Sequence, residues 1–156
     1  LSRLPFPKKE IVMPANLRNA THPHVVFVYG SLLKGLVNHP KLDGARFVGT
    51  AVMPLAELYD LGHFPGLLPA GSGAGSVRGE LYRVDDRTLE RLDRLEGHPG
   101  FYMRKQFVVR APFGADRTDQ MEFLAWVYVL PRDFVAGRPL VKSGDWRAYV
   151  AERAGV

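Results

Sequence analysis

In the stretch Val25-Val26-Phe27-Val28-Tyr29-Gly30-Ser31-Leu32, five β-branched or aromatic residues run without a polar interruption and stop at a glycine. Such a run predicts a short strand buried on both faces, and Gly30 predicts the turn that ends it. A glycine there lets a ligand approach the main chain, and successive N–H groups in such a turn form an anion-binding concavity. The residues that follow do not complete a phosphate loop, because the Gly-x4-Gly-Lys-Ser/Thr spacing is missing. Ser31 lacks the Gly-x-Ser-x-Gly frame of a nucleophile elbow. On its own, a glycine after a strand is more commonly just a turn.

Working outward, residues 46–53 and 56–61 read as two strands separated by Pro54. Residues 64–66 and the Gly/Ser-rich 70–76 read as loops. Residues 77–84 alternate as a strand, with Val77, Gly79 and Leu81 on one face and Tyr82 and Val84 on the other. Residues 102–110 and 123–130 read as a strand pair, with 112–122 as a hairpin loop. Residues 145–154 form a closing helix entered through Ser143-Gly144-Asp145. No internal repeat is present. Strands outnumber helices without alternating regularly with them, which predicts an α+β fold: a small mixed β-barrel or curved sheet flanked by helices.

The chain has 156 residues, the length of one domain, and a domain of that size buries roughly two-thirds of its unfolded surface. Residues 24–156 are expected to form that single domain. Residues 1–23 carry Lys8, Lys9 and several prolines without apolar periodicity, and are expected to be a flexible N-terminal arm in which Met13 is a candidate start. The arm lacks the apolar core of a secretory signal. No apolar run approaches the roughly 20 residues that span a bilayer, so a soluble, cytoplasmic chain without a membrane partner is expected. Cysteine is absent, which excludes disulfides, thiolate metal sites and a cysteine nucleophile. The formal charge of +5 arises from 21 basic and 16 acidic residues. The basic residues are scattered (Arg78, Arg83, Arg87, Arg91, Arg94, Arg104) rather than gathered in a stripe, so no nucleic-acid partner is expected.

The clearest helix spans residues 85–96. Asp85 or Asp86 can cap its first free amides, and Gly97 stands just beyond its end. Leu89, Leu92 and Leu95 define its apolar face. Glu96 follows Leu92 by four residues, about 40° from the centre of that face at about 100° per residue. It therefore points inward, and at a helix C-terminus where the macrodipole disfavours an anion by up to about 1 kcal/mol. Both features raise a carboxyl pKa. A glutamate that violates two local preferences is a candidate site residue; it is equally the pattern of a structural pair with a nearby Arg or Tyr. The histidines His22, His24, His39, His63 and His98 lack His-x3-His spacing, so no metal site is expected. Glu57, Asp60 and Glu80 lie in strand-like stretches, and any of them is a candidate second carboxylate.

In combination these residues resemble the γ-glutamylcyclotransferase superfamily, most closely its γ-glutamylamine cyclotransferase-like branch. The likeness begins with Val26-Phe27-Val28-Tyr29-Gly30-Ser31-Leu32, Lys34-Gly35 and Asn38-His39. It continues through Gly79-Glu80-Leu81-Tyr82-x-Val84, Leu92-Asp93-x-x-Glu96 and Tyr102-x-Arg104. It closes with Trp126-Val127-Tyr128 and Ser143-Gly144-Asp145-Trp146, and so covers residues 25–149. Each motif is short; their order and spacing together are specific. The resemblance implies a pocket where the Tyr-Gly-Ser-Leu turn faces the acidic residue. It implies Glu96 as catalytic acid/base, and Gly30, Ser31 and Leu32 as binders of the glutamyl group through main-chain amides. Tyr29 would line that turn and Tyr102 would offer a pocket hydroxyl. The implied partner is a small γ-glutamyl compound that the enzyme cyclises to 5-oxoproline without metal or cofactor. The rival expectation is a non-catalytic binding module of the same fold.

Overall fold

The computed structural model describes residues 21–71, 75–113 and 118–155. The elements run in the order β1 (His24–Val28), β2 (Arg46–Pro54), β3 (Ala56–Asp60), β4 (Pro65–Pro69), β5 (Ser76–Val84), α1 (Asp86–Glu96), β6 (Met103–Phe113), β7 (Asp119–Val129), α2 (Arg132–Val135) and α3 (Trp146–Arg153). Five strands close a barrel in the order β1-β5-β2-β6-β7, and β3 pairs with β4 in a separate two-stranded sheet. The barrel is mixed: β1 runs parallel to β7, meeting it at Val26 and Trp126, while the other pairs are antiparallel. The α+β barrel expected from the strand pattern is thus the fold.

Closure explains the composition of β1. Flanked by β5 and β7, it is covered on both faces, and Val26 and Phe27 are fully buried. A strand in that position needs apolar side chains in both directions rather than alternation. Phe27, Leu81, Val109 and Val127 contribute to the core shared by β1, β5, β6 and β7.

The helix α1 is built as its sequence predicts. The Asp85 carboxylate accepts the Thr88 N–H at 2.7 Å. At the other end Gly97 adopts φ 67°, a left-handed conformation that costs glycine nothing. The N–H of His98 then returns to the Asp93 carbonyl at 2.9 Å, satisfying a carbonyl that the helix leaves unpaired. Leu89 and Leu92 are buried and Leu95 is partly buried.

The register of β1 against β5 pairs His24 with Val84, so α1 begins beside the first residue of β1. His24 Nε2 lies 2.6 Å from the Asp86 carboxylate there. Eleven helical residues rise about 16 Å, and the strand from His24 to Tyr29 rises about as far. The last residue of α1 and the residue after β1 therefore reach the same end of the barrel. That coincidence of lengths makes the site.

Three expectations need correction. Pro65-Gly66 is not loop but the start of β4, whose residues pair with β3 from Ala56–Pro69 to Asp60–Pro65. Its prolines stand at the strand ends, where a missing N–H is tolerated, and Leu67 is fully buried. Much of the expected hairpin loop at 112–122 is strand, because β6 continues to Phe113 and β7 begins at Asp119. Ser76 opens β5 rather than closing a loop. The centre of that loop, 72–74, and most of the expected N-terminal arm, 1–20, lie outside the described residues. Among the described residues no helix is long and apolar enough to cross a membrane.

Candidate active site

Where β1 leaves the barrel, the chain makes a compact turn whose carbonyls are all committed. Gly30 O accepts the Leu33 N–H at 3.0 Å, and Ser31 O accepts the Asn38 N–H at 2.9 Å. Leu32 O accepts from His39 Nδ1 at 3.0 Å, and the Asn38 amide donates to Ser31 Oγ at 2.8 Å. The N–H groups of Gly30, Ser31 and Leu32 donate to no other described residue. Three main-chain donors are therefore left over in a turn whose acceptors are used. Gly30 is required by packing: a Cβ there would come within 2.7 Å of the Pro65 ring.

The turn is anchored from behind by Glu80. Its carboxylate accepts the Lys34 N–H at 2.9 Å, the Tyr82 hydroxyl at 3.1 Å and the Arg147 guanidinium at 3.2 Å. Arg147 also donates to Lys34 O at 2.7 Å, which joins α3 to the end of the turn.

A cavity of about 290 Å³ opens between this turn and the end of α1. Gly30, Ser31 and Leu32 form one wall, and Glu96, Tyr102 and Tyr128 contribute to the other. Glu96 is the one charged residue lining it, among the described residues. Burial pushes the Glu96 carboxyl up to about 7, so near neutral pH it both accepts and donates a proton. Burial and the neighbouring Glu96 hold the Tyr102 phenol well above its ordinary value, and burial, Tyr102 and Glu96 do the same to Tyr29. Both phenols thus keep their protons and spend them on main-chain carbonyls: Tyr102 on Pro65 O at 2.6 Å, Tyr29 on Tyr128 O at 2.5 Å. The Leu67 backbone N–H meets the Tyr29 oxygen, whereas the Tyr102 oxygen retains acceptor capacity, which suits a cation.

Behind Glu96, one turn earlier on α1, Asp93 receives two hydrogen bonds from Arg104, at 2.8 and 3.1 Å, and one from the Tyr128 hydroxyl at 2.7 Å. Arg104 also stacks on Trp126, 4.2 Å from the ring centroid.

A family pattern described as gamma-glutamyl cyclotransferase, AIG2-like, matches residues 26–148. The chain belongs to that family. Gamma-glutamylcyclotransferase family protein YtfP of Escherichia coli strain K12 is 39% identical over 121 residues, covering 78% of this chain and 94% of YtfP. Gamma-L-glutamyl-butirosin B gamma-glutamyl cyclotransferase of Niallia circulans is 30% identical over 130 residues, covering 83% of this chain and 79% of that protein. The crystal structure of a mouse AIG2-like protein superposes with a TM-score of 0.63 at 28% identity, over 76% of this chain and 86% of that one. Membership of the gamma-glutamyl cyclotransferase family supports a γ-glutamylcyclotransferase-type activity in general terms.

All six residues singled out in the sequence, Tyr29, Gly30, Ser31, Leu32, Glu96 and Tyr102, line the one cavity. The three candidate second carboxylates do not. Glu80 anchors the turn from outside, and Asp60 accepts from Tyr149 at 2.7 Å and Arg153 at 2.9 Å. Glu57 accepts from the Tyr59 hydroxyl at 3.3 Å. Sequence reasoning left Asn38 and Tyr128 without roles although both stood in motifs, and it missed Phe64, Pro65, Leu95 and Phe101 as cavity residues. Pro65 was hidden by the loop reading of 64–66. Phe101 carries no signal beyond its position five residues after Glu96.

Proposed function

We propose that this chain releases 5-oxoproline and a free amine from a γ-glutamyl amine, with Glu96 as the acid/base. A γ-glutamyl amide carries its own nucleophile, since the α-amine can close a five-membered ring on the γ-carbonyl. The α-ammonium gives a proton to the Glu96 carboxylate, and the freed nitrogen attacks the γ-carbon. The bond from that carbon to the leaving nitrogen then breaks as Glu96 returns the proton to it, and the second proton of the ring nitrogen passes by the same carboxylate to the departing amine, which leaves as an ammonium. No water is consumed and no electrons are exchanged.

One observation carries the reading: a carboxyl held near 7 by burial lines the same cavity as a turn with unspent N–H groups. General acid/base help of this kind is worth about 10²–10⁴ in rate. The N–H groups of Gly30, Ser31 and Leu32 offer donors for negative charge on the substrate, and one such donor to an oxyanion is worth about 3–4 kcal/mol. The acceptor oxygen of Tyr102 suits the α-ammonium. Holding the flexible glutamyl chain folded for attack adds the proximity advantage. The Niallia circulans relative, named for gamma-L-glutamyl-butirosin B, supports a γ-glutamyl substrate here. We read the enzyme as cytoplasmic, acting on free γ-glutamyl metabolites.

The test is mass-spectrometric detection of 5-oxoproline from a panel of γ-glutamyl amines and dipeptides. Stoichiometric 5-oxoproline and amine, lost in Glu96→Gln, is the expected result. Release of glutamate instead, or no product from any member, would overturn the reading.

A further inference from the structure

The cavity around Glu96 has a neighbour on the side of Phe101. Phe101 lines the cavity and also lines a second, larger hollow of about 530 Å³. The strand β4 borders both, with Pro65 in the cavity and Leu68 and Pro69 in the hollow. Phe101 is the hub of an edge-to-face aromatic set: Tyr102 at 4.9 Å, Phe134 at 5.4 Å and Phe64 at 6.1 Å between ring centroids. Phe101, Met103 and Phe134 are nevertheless 38%, 41% and 45% exposed. Large apolar side chains left open beside a site mark a surface for an apolar ligand.

Chemistry decides which end of the substrate lies there. If Glu96 returns the proton to the departing nitrogen, that nitrogen passes beside Glu96. The chain next to Glu96 is the Phe101 segment, tied back by Phe101 N–H to Gly97 O at 2.8 Å and Tyr102 N–H to Glu96 O at 3.2 Å. The Gly30 turn, with its amide donors, takes the glutamyl end. Charge narrows the class further. No cationic side chain lines the cavity, and Lys105, exposed, is the one that lines the hollow. A carboxylate on the leaving amine, placed against Phe64 and Phe101, would lose water without gaining a partner.

Resting on the function proposed above, we infer that the hollow beyond Phe101 is the leaving-group subsite. It takes γ-glutamyl amides of apolar or aromatic primary amines that carry no carboxylate next to the nitrogen. A third hollow adjoins the cavity at Ser31 and contains His63 and Arg153. Arg153 already pairs with Asp60 at 2.9 Å, which leaves it little attraction for a carboxylate on an amino-acid leaving group.

The experiment compares γ-glutamyl-phenethylamide and γ-glutamyl-hexylamide with γ-glutamylglycine, following 5-oxoproline release. Expected is a kcat/KM for the two apolar amides about tenfold or more above that for γ-glutamylglycine. Phe134→Ser, which changes the hollow and not the cavity, is expected to shrink that ratio severalfold through KM. Met103→Ser should act in the same sense and guards against a folding defect in the first variant. Equal or better turnover of γ-glutamylglycine by the unaltered protein would overturn the inference while leaving the proposed function standing. So would ratios unchanged in both variants, each shown folded by circular dichroism. No 5-oxoproline from any of the three would overturn the proposed function and this subsite with it.

Discussion

Asp93 and Glu96 stand one turn apart on α1, and the protein drives their carboxyls in opposite directions. Burial raises both. For Asp93 the hydrogen bonds from Arg104 and Tyr128 outweigh it and hold the group below the ordinary carboxylate range. Glu96 has no such partner among the described residues and stays up near 7. Two carboxyls on one helix are thereby separated into a permanent anion and a proton carrier, the pattern by which acid/base roles are assigned in known sites. The anion has a second task, because Tyr128, held by Asp93, accepts the Tyr29 hydroxyl on its main-chain carbonyl.

The activity should follow the charge on Glu96. Taking up the α-ammonium proton requires the carboxylate, so kcat/KM should fall about tenfold per pH unit below about 7. A pH–rate profile checks this; an acid limb near 4.5, the ordinary value for a glutamate, would show that burial does not control the step.

Glu96→Gln should lose about 10²–10⁴ in kcat and gain stability in a pH-dependent way. The folded-state pKa of Glu96 lies above its unfolded value of 4.5, so the folded chain binds more protons between the two. Stability contributed by the protonated group is therefore present below pH 4.5 and is lost as pH rises through about 7. The amide carries no such cost. Thermal melts should show the variant more stable than the parent at pH 8, by on the order of 3 kcal/mol, and no different at pH 4.

Asp93→Asn should weaken the fold rather than the chemistry directly. It leaves the Arg104 guanidinium without its anion at a site where both partners are about four-fifths buried, with side-chain exposures of 17% and 21%. A loss of about 2 kcal/mol is expected at pH 7. Because the folded pKa of Asp93 is depressed, its contribution is present above its unfolded value of 3.8 and disappears as pH falls through the folded value. Urea unfolding at pH 7 and pH 3 should therefore show the gap between parent and variant closing in acid.

Gly30→Ala should be costly out of proportion to one methyl group. The added carbon meets the Pro65 ring at 2.7 and 2.9 Å, and a proline ring in β4 cannot swing aside. Either the turn or β4 must shift, at about 1–3 kcal/mol, and the three unspent N–H groups move with the turn. Unfolding midpoints and KM for a γ-glutamyl amide should both worsen; an unchanged KM would show that the turn does not hold the glutamyl group.

Much of this was legible in the order of residues alone. The buried run at Val25–Tyr29 requires a strand covered on two sides, and a closed barrel supplies that cover. The spacing Leu89, Leu92, Leu95 fixes the inner face of α1, and Glu96 lies on that face whatever surrounds it. Local period, capping and glycine chemistry act over a few residues, so they are written in a few residues. Pro65-Gly66 and Phe101 were not legible in the same way. The first is strand only because β3 lies beside it, and the second is a wall only because Phe64, Tyr102 and Phe134 converge on it from three other segments. The fate of Glu57, Asp60 and Glu80 as candidate second carboxylates was also decided in three dimensions, since Arg147, Arg153 and Tyr149 come from the far end of the chain to pair with two of the three. A carboxyl's proton affinity depends on what surrounds it within a few ångströms, and across a closed barrel those neighbours are as much as ninety residues away.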